Sequence, residues 1–409
     1  MLARAIDQLV RHEGPRVLAG LIRWSGDFDL AEEAFQAACE QALESWPRRG
    51  LPERPGGWLT TVARRRLADL LRRRRPSLPL EGPAAEALAA DEGEPPESAP
   101  EVEDDRLRLL FTVCHPALGQ LAQVALALRT LCGLTTQEIA RAHLEEEATT
   151  AQRLVRAKRK IAEARIPFEV PPADRLAERL AGVLSTIYLV FNEGFSATAG
   201  EAWIRSDLCA EAIRLGRLVG ELLPREPEAE GLLALMLLHD ARRPARTAVD
   251  GTLVPLEEQD RTLWSPELIE EGTAVLDRAL SRGAPGPYQL QAAIAALHVR
   301  APRPEDTDWL QIAALYGALL RHSPSPIVEL NAAAAVAMAH GPEAGLEWMD
   351  RLERSGELAE YHLLPASRAD LLRRLGRVPE ARAAYRRALE LVRHPAERRF
   401  LERRLGELG

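Results

Sequence analysis

The 409-residue chain is poor in lysine, in cysteine and in long apolar runs. Only two of its 53 basic residues are lysines, Lys158 and Lys160, and a codon bias of a GC-rich genome accounts for this without any functional role. The cysteines form no CxxC pair, and Cys114-His115 lacks the further ligands that a zinc site needs. We therefore expect no metal, and we expect the cysteines to be small buried hydrophobes: Cys39, Cys114, Cys132 and Cys209.

The chain also lacks the two patterns that send a protein into or across a membrane. No run of 18 apolar residues occurs, so we expect no membrane span. The first 16 residues carry charges throughout and contain no apolar core of a signal peptide. These absences predict a cytoplasmic protein, and the length predicts two or three domains.

Charge is unevenly distributed along the chain. The formal net charge is −8, which taken whole disfavours a nucleic-acid partner. Residues 76–105 hold ten acidic side chains and no basic one. The rest of 1–171 holds 24 basic and 16 acidic side chains, a net charge of +8. The N-terminal part is therefore basic apart from one acidic segment, and 172–409 is acidic with 29 basic and 35 acidic side chains.

Residues 133–161, GLTTQEIARAHLEEEATTAQRLVRAKRKI, predict a helix-turn-helix. Thr135-x-x-Glu138 and Thr149-x-x-Gln152 are capping-box patterns, each of which would open a helix. In the second helix one apolar face is predicted to be buried: Thr150, Leu154, Ala157 and Ile161. The opposite side is basic and of a size that a major groove admits. A plain helical hairpin with a solvated basic face remains the alternative.

Two further helices precede this motif. DFDLAEEAFQAACEQALESW (27–46) combines an Asp29-x-x-Glu32 cap, an apolar stripe that reaches Leu43 and an acidic polar side. Residues 58–75 predict a helix that begins at Trp58. This segment contains seven arginines and one acidic residue, which favours a polyanionic partner. Trp58 could stack on an unpaired base or anchor the core, and the pattern leaves both open.

The remaining segments predict further helices and one linker, so the predicted fold class is all-α. Residues 2–24 predict two helices broken at Gly14-Pro15, and 76–105 predict an extended, flexible acidic linker. Residues 172–285 predict further helices. Within 286–409, SRADLLRRLGRVPEARAAYRRALEL and two earlier units (287–322 and 327–352) have the spacing of tetratricopeptide-like repeats. We expect about three stacked helical hairpins there.

The order of these parts resembles a bacterial RNA polymerase sigma factor of the extracytoplasmic-function group, a branch of the sigma-70 family. The resemblance covers 1–171, with region 2 at 1–75 and region 4, the helix-turn-helix, at 106–171. FNEGF, HDARRPAR and EEQDRTLW also resemble the C-terminal extension of one subgroup of these factors. Glu33 stands where the family usually has Asp, Ala37 stands where it usually has an acid, and Arg65 replaces a frequent Asn.

The resemblance implies partners and residue roles. The implied protein partner is core RNA polymerase, with its β′ clamp and β flap. Its contacts on the helix of 27–46 would be made by Asp29, Glu32, Glu33, Gln36 and Glu40. The −10 element of promoter DNA would contact the basic helix: Trp58, Arg64, Arg65, Arg66, Arg72, Arg73 and Arg74. The −35 element would contact the second helix of the motif: Thr149, Gln152, Arg153, Arg156, Arg159 and Lys160. The extension could contact the sigma domains and regulate them, and no cofactor is implied.

Two rival interpretations stay open. The first is a DNA-binding regulator whose repeats form a sensor and which never binds polymerase. The second is an enzyme or scaffold built on the repeats, because acids and bases lie in turns of the C-terminal half: Glu193, His239, Asp240, Asp260 and Asp308. Their spacing matches no hydrolase or metal motif, and acids at helix ends usually act as caps, so we expect no enzyme.

Overall fold

A computed structural model describes residues 2–74, 105–143, 145–195, 204–248, 250–283 and 285–409. Throughout these ranges the regular elements are helices, which confirms the all-α class. The chain divides into two compact units, Met1–Leu189 and Val190–Gly409. The predicted linker 76–105 lies outside the described residues except for Asp105, and the predicted borders of the other domains stay a prediction.

The first unit begins with three helices that contact one another: α1 (Leu2–Ser25), α2 (Phe28–Arg49) and α3 (Pro55–Arg74). The cap of α2 was predicted wrongly, because Asp27 rather than Asp29 accepts from the backbone N–H groups of Asp29 and Leu30. Leu43 is 53% exposed, and Ala42 and Trp46 continue the buried stripe instead. The third helix begins at Pro55, so Trp58 lies inside its first turn.

The predicted break at Gly14-Pro15 is wrong, since α1 runs through both residues. A helix tolerates an internal proline when other contacts compensate for the lost backbone hydrogen bond. Gly14 supplies such a contact: a Cβ at this position would lie 2.8 Å from Cζ of Phe35 on α2. The missing side chain of Gly14 therefore lets α1 pack closely against α2, and it does not mark a helix end.

Four shorter helices follow: α4 (Asp105–Val113), α5 (Gln120–Thr130), α6 (Thr136–His143) and α7 (Glu147–Glu163). The next helix, α8 (Ala173–Phe195), contains the border between the two units. Its first half is fixed to this group by Arg179, whose Nη2 donates to the carbonyl of Phe111 at 2.5 Å. The hydroxyl of Thr186 likewise donates to Oε1 of Gln123 at 3.1 Å.

The second unit consists of helices that pack on their neighbours in sequence. They are α9 (Ser206–Leu222), α10 (Pro227–Asp240), α11 (Pro266–Leu280), α12 (Pro287–Arg300), α13 (Trp309–His322), α14 (Pro326–His340), α15 (Pro342–Ser355), α16 (Leu363–Arg374), α17 (Val378–Leu391) and α18 (Pro395–Gly406). The predicted units 287–322 and 327–352 are the α12–α13 and α14–α15 pairs, and α16–α17 is the third hairpin.

Burial in the second unit is centred on α10, whose residues 231–238 are all apolar and buried. Cys114, Cys132 and Cys209 are buried as predicted, whereas Cys39 is half-buried. Burial raises the pKa of the Cys39 thiol to about 12, with Glu40 adding to the effect.

No helix in the described ranges is both long and apolar enough to span a membrane.

Candidate nucleic-acid and polymerase interface

Helices α6 and α7 lie in the segment predicted to form a helix-turn-helix, and the first predicted capping box is confirmed. The hydroxyl of Thr135 accepts from the backbone N–H of Glu138 at 3.1 Å, and Glu138 accepts from the N–H of Thr135 at 2.7 Å. The second box is wrong, because α7 begins at Glu147, two residues before Thr149. The buried residues of α7 are those expected from its periodicity: Thr150, Leu154, Ala157 and Ile161.

The opposite side of α7 is solvent-exposed, and we call it the outer face of α7: Thr149, Gln152, Arg156, Arg159 and Lys160. Four of these side chains are long and end in hydrogen-bond donors, which suits contacts with base edges and phosphates. Arg159 lies 3.2 Å from Glu163 in an exposed ion pair that a stronger anion can replace.

Arg153 is directed into the turn and lies apart from the outer face. Its Nη2 donates to Oε2 of Glu145 at 2.7 Å, and its Nη1 donates to Oε1 of the same carboxylate. The hydroxyl of Thr150 donates to Glu145 as well, at 3.2 Å. The hydrogen bond that Arg153 donates to Glu145 raises the pKa of Arg153, although burial opposes it. One of the three acids of the turn, Glu145, is thus paired with a base of α7.

Lys158, which was not among the predicted site residues, joins α7 to α2. Its Nζ donates to Oδ1 of Asp29 at 2.7 Å and to Oε2 of Glu32 at 3.0 Å, and its side chain is only 12% exposed. Nε of Arg129, on α5, lies 3.6 Å from Glu32. Burial alone would lower the pKa of Lys158, but Glu32 and Asp29 together outweigh burial and raise it. The only signal in the sequence was that both lysines fall on α7.

The predicted polymerase-binding residues of α2 therefore divide into two sets. Asp29 and Glu32 bind Lys158, and Glu32 is half-buried. Glu33, Gln36 and Glu40 are exposed, with Nε2 of Gln36 donating to Oε1 of Glu40 at 3.1 Å. Part of the acidic side of α2 is thus already occupied by a basic side chain of α7.

The basic helix α3 has packed and exposed members. Trp58 is half-buried, with its ring 5.3 Å from that of Trp46 in an edge-on contact. The guanidinium of Arg64 lies 3.3 Å from the ring centre of Trp24. Burial, reinforced by Arg23, lowers the pKa of Arg64 to about 10.

Three other arginines of α3 are exposed to solvent: Arg65, Arg72 and Arg73. Arg66 is half-buried. Arg72 lies 3.5 Å from Asp69. The side chain of Arg74 lies outside the described residues. A DNA strand could reach the exposed arginines without disturbing the packing of Trp58 and Arg64.

In the second unit, FNEGF and HDARRPAR meet. The guanidinium of Arg246 lies 3.4 Å from the ring centre of Phe195 and donates to its carbonyl. The ring centres of Phe195 and His239 are 5.0 Å apart, and Nδ1 of His239 lies 2.8 Å from Nη2 of Arg242. Burial lowers the pKa of Arg242 to about 10 and that of Arg246 to about 9.

The acids proposed for acid–base chemistry have structural partners. Asp308 accepts from the N–H of Gln311 at the start of α13, and Asp260 accepts from the N–H of Thr262. Asp240 lies 3.4 Å from Arg243. Within the described ranges no group of three or more His, Cys, Asp or Glu side chains could hold a metal ion.

Comparison with known proteins relates two segments of the chain to described families. A family model described as sigma-70 region 2 matches residues 9–76, the part that contains α2 and α3. The N-terminal part is therefore a sigma-70 region 2, which supports a sigma-70 family factor. A second model, described as a family of unknown function (DUF6596), matches residues 179–280, which include FNEGF, HDARRPAR and EEQDRTLW.

A relative extends over almost the whole chain. An uncharacterized protein of Rhizobium meliloti (strain 1021) is 47% identical over 410 residues, covering 99% of this chain and 96% of that protein. The chain therefore belongs to the same family as this protein. No solved structure matches it.

We expect acid to destabilise the second unit through two histidines. Burial, together with neighbouring arginines, lowers the pKa of His298 to about 4 and also lowers that of His239. An unfolded histidine titrates near 6.5, so the unfolded chain binds more protons below that pH. The contribution of these histidines to the free energy of unfolding is therefore fully present above pH 6.5, and it is lost as the pH drops from 6.5 towards 4. Urea unfolding between pH 7.5 and 4.5 measures this.

His298→Gln should reduce this pH dependence, because it removes one titrating group. His322→Gln, at an exposed position on α13, is the matched control and should leave it unchanged. An identical slope in the His298→Gln variant and in the unaltered chain would contradict the assignment.

Proposed function

We propose that the chain is a sigma factor of the extracytoplasmic-function group, which binds core RNA polymerase and directs transcription initiation at specific promoters. One observation carries the proposal: the segment that matches sigma-70 region 2 is followed by the helices α6 and α7, and α7 has an exposed basic face. The polymerase would form the phosphodiester bonds, so this activity needs no catalytic group of the chain itself.

The outer face of α7 would read the −35 element. A helix of 17 residues is about 25 Å long, and a major groove about 12 Å wide admits it. Gln152 and Arg156 are suited to bidentate contacts with adenine and guanine edges. Arg159 and Lys160, nearer the C-terminal end, are suited to phosphates, which position a protein without specifying sequence. Arg153 would support the motif through Glu145.

The exposed side of α3 would engage the −10 element. Arg65, Arg72 and Arg73 are exposed and can approach phosphates. Trp58 and Arg64 are held by Trp46 and Trp24, which favours the core-anchor interpretation of Trp58. Their role at the −10 element would be to orient α3.

Core polymerase would bind the acidic side of α2, and Lys158 would compete with it. Glu33, Gln36 and Glu40 are accessible, whereas Asp29 and Glu32 first have to release Lys158. A basic surface on the polymerase could replace the ammonium group. The contact would keep the free factor closed, and polymerase binding would separate α7 from α2 for promoter recognition.

The C-terminal half, including the repeats of 286–409, would regulate or support this activity. Its stacked helical hairpins suit a tetratricopeptide-like binding scaffold. A DNA-binding regulator that carries a sensor and never binds polymerase is the alternative. The exposed acidic residues of α2 favour the sigma factor, because DNA binding alone does not require them.

The test of the function is start-site-specific transcription by the full-length chain with core polymerase, using DNA from upstream of its own gene. We expect co-purification with core polymerase and discrete transcripts that core polymerase alone does not make. DNA binding without any association with core polymerase would contradict the sigma-factor proposal and support the regulator.

Arg156→Ala should weaken promoter binding about tenfold or more, because a bidentate base contact contributes roughly 1–3 kcal/mol. Helicity should be unchanged, since Arg156 is exposed on α7. Arg175→Ala removes the same charge from an exposed position on α8 and is the matched control. Gel shifts at several salt concentrations measure both variants. Equal promoter affinity of the two variants would remove Arg156 from the interface.

The two lysines allow a matched test of the closed state. Lys158→Glu places a carboxylate beside Asp29 and Glu32, so it should release α7 and raise the affinity for core polymerase. Lys160→Glu makes the same change on the exposed outer face, so it should weaken DNA binding and leave the affinity for core polymerase unchanged. Binding to immobilised core polymerase separates the effects. A loss of core affinity in Lys158→Glu would overturn the competition.

A further inference from the structure

The second unit contains a cavity that the proposed transcription function does not use. Its volume is about 670 Å³, within the range of sites for small molecules. Its walls come from helices α12 to α18, from residues 304–307 and from residues 255–261, which precede α11. The cavity therefore lies between part of the segment matched at 179–280 and the helical hairpins that follow.

The charged groups that line the cavity are engaged with the protein itself. Arg374 donates to Asp370 at 2.7 Å and to Glu257 at 3.0 Å. Arg261 donates to the carbonyls of His298 and Ala301 at 2.8 and 2.7 Å.

The other charged lining residues are engaged in the same way. Arg404 forms ion pairs with Glu258 and Glu407, and Glu305 lies 3.5 Å from Arg303. A charged ligand would have to displace one of these internal partners.

Three uncharged polar side chains on the lining have the opposite character: His298, Thr307 and Ser367. Their side-chain polar atoms take part in no hydrogen bond among the residues that the structure describes. His298 packs edge-on against Trp309, and its pKa of about 4 keeps it neutral at physiological pH. A neutral imidazole and two hydroxyls can each donate and accept hydrogen bonds.

The rest of the lining is largely apolar. Trp309, Met338, Leu363 and Phe400 supply aromatic, thioether and aliphatic surface. Methionine adapts to ligands of different outline because its side chain is flexible and polarisable. Met349, also on the lining, belongs to a buried core cluster of the second unit, which holds that wall in place.

We propose that this cavity binds an uncharged, mainly apolar small molecule that carries a few hydrogen-bonding groups. Its apolar part lies against Trp309, Met338 and Phe400. Its polar groups pair with His298, Thr307 and Ser367. Residues 255–257 and the helices contact the ligand from different walls, so binding stabilises their association.

The loop at 250–258 is joined to the hairpins by polar contacts at the same place. Glu257 pairs with Arg374, Glu258 pairs with Arg403 at 3.1 Å, and Nη2 of Arg399 donates to the carbonyl of Gly251 at 3.0 Å. Exposed ion pairs of this kind are individually weak, so burial of ligand surface adds measurably to the association of loop and helices.

The test uses the full-length chain and Nile red, an uncharged apolar dye. We expect saturable binding at one site, with a rise in fluorescence and in the midpoint of thermal unfolding. Ala334→Leu, which adds side-chain volume at a half-buried lining position, should weaken binding at least tenfold. Ala383→Leu, the same change at an exposed position on α17 outside the cavity, should bind like the unaltered chain.

Circular dichroism of both variants checks that the fold is retained. Equal dye affinity in Ala334→Leu and Ala383→Leu would overturn the site, because the dye would then bind elsewhere. Absence of saturable binding by the folded unaltered chain would overturn it too. Tighter binding of the anionic dye anilinonaphthalene sulfonate than of Nile red, lost in Ala334→Leu, would overturn the uncharged class of ligand. None of these outcomes depends on polymerase or promoter binding.

Discussion

In the first unit, α7 is joined to α2 by the contact between Lys158 and the carboxylates of Asp29 and Glu32. The ammonium group is largely buried, and a buried charge is stable only when it is paired and hydrogen-bonded. Two carboxylates meet that requirement, and Arg129 adds a further positive charge beside Glu32. The same carboxylates lie on the helix expected to bind polymerase. One ion-paired cluster thus joins α7 to α2 and covers part of the candidate polymerase surface.

Arginine dominates the basic residues, and the structure gives many of these arginines internal roles. Arg246 and Arg261 donate to carbonyls at the ends of α8 and α12, where helix dipoles favour a positive charge. Arg64 lies on the face of Trp24. Arginine tolerates such sites because its planar group makes several directed hydrogen bonds and stacks on rings. In the N-terminal part, Arg64 and Arg153 are engaged within the protein. Not all of the excess positive charge there is therefore available to bind DNA.

The candidate site could be predicted where its residues follow the period of one helix. The buried face of α7 and the exposure of Gln152, Arg156 and Arg159 agree with the expectation, because side chains three or four residues apart share a face. Helix starts were less predictable. Asp27 rather than Asp29 caps α2, and Pro55 rather than Trp58 begins α3, because several residues near a helix start can supply the first backbone contacts. The helix α1 continues through Pro15, and Gly14 packs against Phe35 of another helix. The sequence pattern around Gly14 and Pro15 does not reveal such a tertiary contact.

The sequence by itself determined the all-helical class, the helices α6 and α7 with the Thr135–Glu138 cap, the acidic and basic helices and the helical pairs of the C-terminal half. Each of these depends on residues within one or two turns of each other. Only the tertiary structure decided that Lys158 binds Asp29 and Glu32, more than 120 positions away, and that His298, Thr307 and Ser367 line one cavity. Helical periodicity states which residues share a face, but it does not state which other helix that face meets.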